Sequence, residues 1–128
     1  MTRKLFVVAT LAFGLAGLAW AKGKDDAAKP PAAEEKLTGE VLDLNCYVGH
    51  GAQGEKHAAC AQKCIAGGAP VGLLADAKVY VLTNGDHSVN LSEKLSPLAG
   101  KKVTVTGHAK ILEGGGHAFD VSAVEAAK

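Results

Sequence analysis

The sequence predicts a mainly β domain, a small five-stranded barrel, closed or partly open, with a Cys/His-bearing helix inserted after the first strand. Three observations carry this. Short runs of alternating apolar and polar residues recur between turn signals from residue 37 to residue 125. One segment, GEKHAACAQKCIA, breaks that alternation and follows a glycine-rich loop. The first 36 residues contribute nothing that a small core needs.

Those first residues come in two parts. MTRKLFVVATLAFGLAGLAWAKG has Arg3 and Lys4 ahead of an uncharged apolar run, Leu5 to Leu18, and then the small-x-small pattern Ala19-Trp20-Ala21. This predicts a signal peptide over residues 1–21, cleaved after Ala21. The run is shorter than the roughly 20 apolar residues of a comfortable span, so no stable membrane insertion is expected after cleavage. Residues 22–36, KGKDDAAKPPAAEEK, hold no large apolar side chain and two consecutive prolines. Such a composition cannot offset its ordering entropy, and it predicts a disordered linker. The domain is then residues 37–125, in a periplasmic or secreted protein.

Losing the signal also changes the charge. Arg3 and Lys4 go, so fourteen basic residues become twelve against thirteen acidic, and the aromatics fall to Tyr47, Tyr80 and Phe119. A near-neutral surface with three aromatic rings is ill suited to tracking phosphates or stacking bases, so no nucleic-acid partner is expected.

Taken in order, LTGEVLDLNCY reads as the first strand, with Leu42, Leu44 and Cys46 on one face and Val41, Asp43, Asn45 and Tyr47 on the other. That alternation places Asp43 on a polar outer face. GEKHAACAQKCIA reads as a helix ended by Gly67-Gly68, with Pro70 barring continuation. VGLLA and KVYVLTNG form a hairpin about Ala75-Asp76-Ala77, and Asn84-Gly85-Asp86 marks the next turn. SEKLSPLAG predicts a short helical turn begun by Ser92. KKVTVTGHAKIL and HAFDVSAVEA make the last hairpin, its loop holding Glu113 to Gly116, and Val103, Val105, Phe119 and Val121 alternate with polar residues.

The segment GKKVTVTGHAKILEGGGHAFDVSAVE resembles the last two strands of an OB-fold, in the version found in small exported bacterial proteins. GEVLDLNCY paired with HAACAQKCIAGGAPVGLL resembles a group of such proteins with no assigned function, over roughly residues 37–125. The resemblance implies an OB-like barrel whose usual helix, between strands three and four, is SEKLSPLAG. The helix over 55–66 is then an insertion, expected to lie over the usual nucleotide-binding face; fold alone selects no function.

Function therefore has to come from HAACAQKC. At about 100° per residue, His57, Cys60 and Cys64 lie within an arc of roughly 60° on one helix face. With Cys46 they make a Cys3His set, a known tetrahedral composition for zinc, and thiolates equally suit reduced copper. His50 is the alternate ligand. The spacing is not the paired Cys-x2-Cys of structural zinc knuckles. Two other readings stay open. Cys46 bridged to Cys60 or Cys64 would close a loop of about 15 to 19 residues, worth roughly 3 kcal/mol in the chain-entropy model. One thiol activated by His57 or by the helix N-terminus would do redox work.

The sequence thus favours an exported binding protein for a transition metal ion, copper or zinc, over an enzyme. Its alternatives are a periplasmic thiol redox or sensor protein and a disulfide-stapled module recognising a peptide or glycan on another exported protein. His108 and His117 flank the last hairpin loop and offer a weaker second site. His87, in a turn, offers none.

Overall fold

The computed structural model describes residues 33–128; the expected signal peptide and the linker up to residue 32 lie outside the described residues. Five strands close into a barrel: β1 (Glu35–Asp43), β2 (Val71–Ala75), β3 (Lys78–Thr83), β4 (Lys102–Ile111) and β5 (His117–Ala126). Their order around the barrel is β1-β2-β3-β5-β4, with β4 returning to β1. All pairs are antiparallel except β3 with β5. This is the small OB-like barrel expected, and closure leaves no strand edge unpaired along its circuit.

Alternation is what builds it. Val103 and Val105 of β4 and Phe119 and Val121 of β5 are buried, while Thr104, Thr106 and Asp120 between them are partly exposed. Leu73, Val41, Ile65 and Leu95 complete the same core. The β2–β3 turn is tighter than expected: Asp76 and Ala77 alone make it, at φ 49° and 59°. Two left-handed central residues suit the strand twist of a two-residue hairpin.

Three helices and a 3-10 turn interrupt the strands. Between β3 and β4 lie α3 (Leu91–Leu95) and the 3-10 turn Ser96–Leu98. This helix starts before the expected Ser92, because Asn90 caps it by accepting the Glu93 N–H at 3.1 Å. The inserted helix, α2 (Glu55–Ala66), occupies the segment expected. It lies against β1, α3 and the 3-10 turn, and buries Ala61 and Ile65, one turn apart.

Two expectations need correction at the ends of β1. The strand begins at Glu35, and Glu35 and Lys36 pair with Gly107 and Thr106 of β4. Two residues assigned to the linker are therefore sheet. At the other end the strand stops at Asp43, and Leu44–His50 forms a helix, α1, where the alternation predicted more strand. The Leu44 N–H still donates across the sheet to the Pro70 carbonyl at 3.0 Å, but Pro70 has no N–H to return and the ladder ends there. Asp43 then caps α1, its Oδ1 accepting the Asn45 N–H at 2.9 Å.

A candidate metal centre at the turn of two helices

All three thiols belong to the excursion between β1 and β2. Cys46 is the third residue of α1, not the end of a strand, and Cys60 and Cys64 stand one turn apart on α2. Each helix is seated by identifiable contacts. α1 ends at Gly51, whose left-handed backbone (φ 67°) lets its N–H reach the Tyr47 carbonyl at 2.8 Å. The N-terminus of α2 is held by Glu40, whose carboxylate accepts the Gly54 N–H. It also rests on Gly100, at φ 71°, where an added Cβ would stand 2.9 Å from the Gly54 oxygen and 3.0 Å from the Ala58 Cβ. Gly100 in turn donates to the Val41 carbonyl at 2.9 Å, which ties this support to β1.

On α2 the cysteines border the buried stripe. By helix geometry Cys64 lies roughly 60° round the axis from Ala61 and 100° from Ile65, while Cys60 lies roughly 100° from Ala61 and 140° from Ile65. Cys64 is accordingly half-buried and Cys60 exposed, while Cys46 is half-buried on α1. The three sulfurs lie within 4.8 Å of one another. All are free thiols, so the bridge weighed from the sequence is not formed.

Among the described residues this is the group of His, Cys, Asp or Glu atoms gathered closely enough to hold an ion. His57 and His50 are not part of it. Both are exposed; His57 lines a narrow cleft shared with Asp43, Glu40, Gly54 and Gly100. The other histidine pair does not meet: across β4 and β5, His108 faces Asp120 and His117 faces Ile111. His117 instead lies against Tyr80, ring centroids 5.4 Å apart.

Sequence reasoning put Asp43 near the site but misjudged its setting. Placed on a polar outer face by alternation, it is only 2% exposed. Its Oδ1 serves the cap, while Oδ2 is buried and receives no hydrogen bond of ordinary geometry. The thiols of Cys46 and Cys64 lie near enough to share their protons with this carboxylate, though neither is squarely aimed at Oδ2. That contact, then lost hydration, then the negative charge of Asp43 and of Cys60, pushes the Cys46 thiol from its ordinary 9.0 up to about 12. The same causes in the same order raise Cys64. A charged residue directly before a cysteine-bearing helix was the available signal, since Asp is a preferred N-cap.

Chemically, the arrangement is three protonatable sulfurs and one carboxylate with cationic charge wanting. A cation that displaced the thiol protons would relieve the repulsion that raises them. Comparison with protein-family models, with curated proteins and with solved structures finds no match. No helix among the described residues is long and apolar enough to cross a membrane.

Proposed function

We propose that this is a small exported protein that binds a transition metal ion, copper or zinc, on the thiolates of Cys46, Cys60 and Cys64. One observation carries the reading: three thiols from two separate helices converge within 4.8 Å of one another. A structural bridge consumes two cysteines and gives a third no reason to join them. A metal uses all three. Export rests on the signal-peptide pattern of residues 1–21. For the fourth place in a tetrahedral set, His57 and His50 are the groups the sequence offers.

Redox work is the reading that the electrostatics disfavour. An attacking cysteine needs its thiolate stabilised near neutral pH, by a cation or a helix N-terminus. Here a carboxylate raises Cys46 and Cys64 instead.

The test is an anaerobic titration of reduced protein with Cu(I) and Zn(II), each in competition with a chelator. One equivalent should bind, and Cys46→Ser, Cys60→Ser and Cys64→Ser should each weaken it at least tenfold. Wild type that competes for neither metal sinks the proposal, and oxidation to a disulfide with a measurable reduction potential would replace it.

A further inference from the structure

The carboxylate beside the thiols has no structural duty that explains both of its oxygens. Oδ1 caps α1 at the Asn45 N–H. Oδ2, on a residue 98% withdrawn from water, has no hydrogen bond of ordinary geometry, only the neighbouring thiols of Cys46 and Cys64. A buried carboxylate oxygen without a donor or a cation is costly, and native structures rarely tolerate one without a purpose. The cap does not require it, because the amide oxygen of asparagine caps as well.

We infer that Asp43 Oδ2 is the fourth metal ligand, completing a Cys3Asp set with Cys46, Cys60 and Cys64 that selects a four-coordinate divalent ion of the Zn(II) kind over Cu(I). This rests on the metal-binding reading proposed above and assigns the place for which the sequence offered His57. Zinc takes carboxylate oxygen at about 2.0–2.2 Å and thiolate sulfur at about 2.3 Å. Four such ligands set the sulfurs about 3.8 Å apart, so thiols now within 4.8 Å need draw in by about 1 Å at most. Cu(I) gains little from a hard oxygen and is content with thiolates. Charge separates the two ions further. Four anionic ligands leave a net −2 around a divalent ion and −3 around a monovalent one, and the larger residue is the harder to keep half-buried. Neither Asp43 nor His57 lies within 4.8 Å of all three sulfurs, but Asp43 is buried and in reach of Cys46 and Cys64, whereas His57 stands exposed.

Asp43→Asn tests this, because it keeps the capping oxygen and removes the anionic ligand. On the full chain, reduced and anaerobic, Asp43→Asn should weaken Zn(II) and Co(II) at least tenfold and alter the cobalt d–d bands. Its Cu(I) affinity should stay within about threefold of wild type, which also shows that the thiol cluster is intact. His57→Ala should leave the cobalt spectrum unchanged. An unchanged cobalt spectrum in Asp43→Asn, or the loss appearing in His57→Ala, overturns the inference while the three-thiolate site stands. Failure of wild type to bind either ion would instead remove the metal reading itself. Should Asp43→Asn not fold, X-ray absorption of zinc-loaded wild type decides. Three sulfurs with an oxygen backed by a carboxylate carbon support Asp43. Three sulfurs with imidazole, with a lone water oxygen, or with nothing overturn it.

Discussion

Asp43 accepts the Asn45 backbone N–H through one carboxylate oxygen and leaves the other buried and unpartnered beside Cys46 and Cys64. Capping and burial therefore pull on stability in opposite directions at one residue. In metal-free protein at neutral pH, Asp43→Ala should lose about 1 kcal/mol with the cap. Asp43→Asn keeps the cap and removes the buried charge, so it should be at least as stable as wild type. Urea melts of the three reduced, metal-free proteins check the order; Asn below Ala would contradict it.

The raised thiols carry a pH dependence whose sign is definite. Cys46 rises from 9.0 to about 12 on folding, so between those values the native state holds a proton that the unfolded chain has released. Its contribution is complete below pH 9 and is lost as pH climbs toward 12. Reduced, metal-free protein should therefore melt progressively lower above pH 9, and Asp43→Asn should flatten that fall. Metal reverses the requirement. Binding needs the thiolates, so affinity should weaken as pH drops, with proton competition persisting above neutrality.

Gly100 is where the barrel supports α2. Alanine there must adopt φ 71° and place its Cβ 2.9 Å from the Gly54 oxygen, a backbone atom that cannot swing aside. Gly100→Ala should cost about 1–2 kcal/mol in backbone strain alone. It should also weaken metal uptake, since Cys60 and Cys64 ride on the displaced helix. Thermal melts with a parallel cobalt titration measure both.

β1 fixes where the foldable unit starts. Glu35 to Thr38 pair with Gly107 to Thr104, and the Glu35 carboxylate accepts the Ala109 N–H at 3.0 Å. A chain beginning at Ala33 should melt with the full-length protein. One beginning at Gly39 gives up those rungs and the packing of Leu37, and should melt well below it.

The barrel was legible because its signals are local. Val103, Val105, Phe119 and Val121 alternate with polar neighbours, and the turn signal at Ala75-Asp76-Ala77 marks the β2–β3 hairpin to within one residue. The inserted helix was equally plain from its terminating Gly67-Gly68. The end of β1 was not. LDLNCY continues to alternate after the strand has stopped, and what stops it is distant: Pro70, opposite Leu44 across the sheet, accepts its N–H but has none to return, and Leu44 packs over Gly72. Cys46 was consequently placed with the leucines of a strand, and Asp43 with solvent. The convergence of thiols survived that error because α1 still brings Cys46 to α2. The partner most worth noticing, a carboxylate buried against its usual habit, was hidden by the rule that sends charges outward.

Asp43 is paired with Val71 across β1 and β2, so the chain that carries every thiol leaves and rejoins the barrel at a single rung. That geometry bears on how such a centre tolerates evolutionary drift. Insertions in the exposed stretch from Gly49 to Gly51 enlarge a loop whose two feet are already fastened, and doubling a loop's length adds only about 0.6 kcal/mol of closure entropy. Descendants of this sequence can thus vary in the spacing from Cys46 to Cys60 while the four-residue step from Cys60 to Cys64, fixed by one helical turn, stays constant.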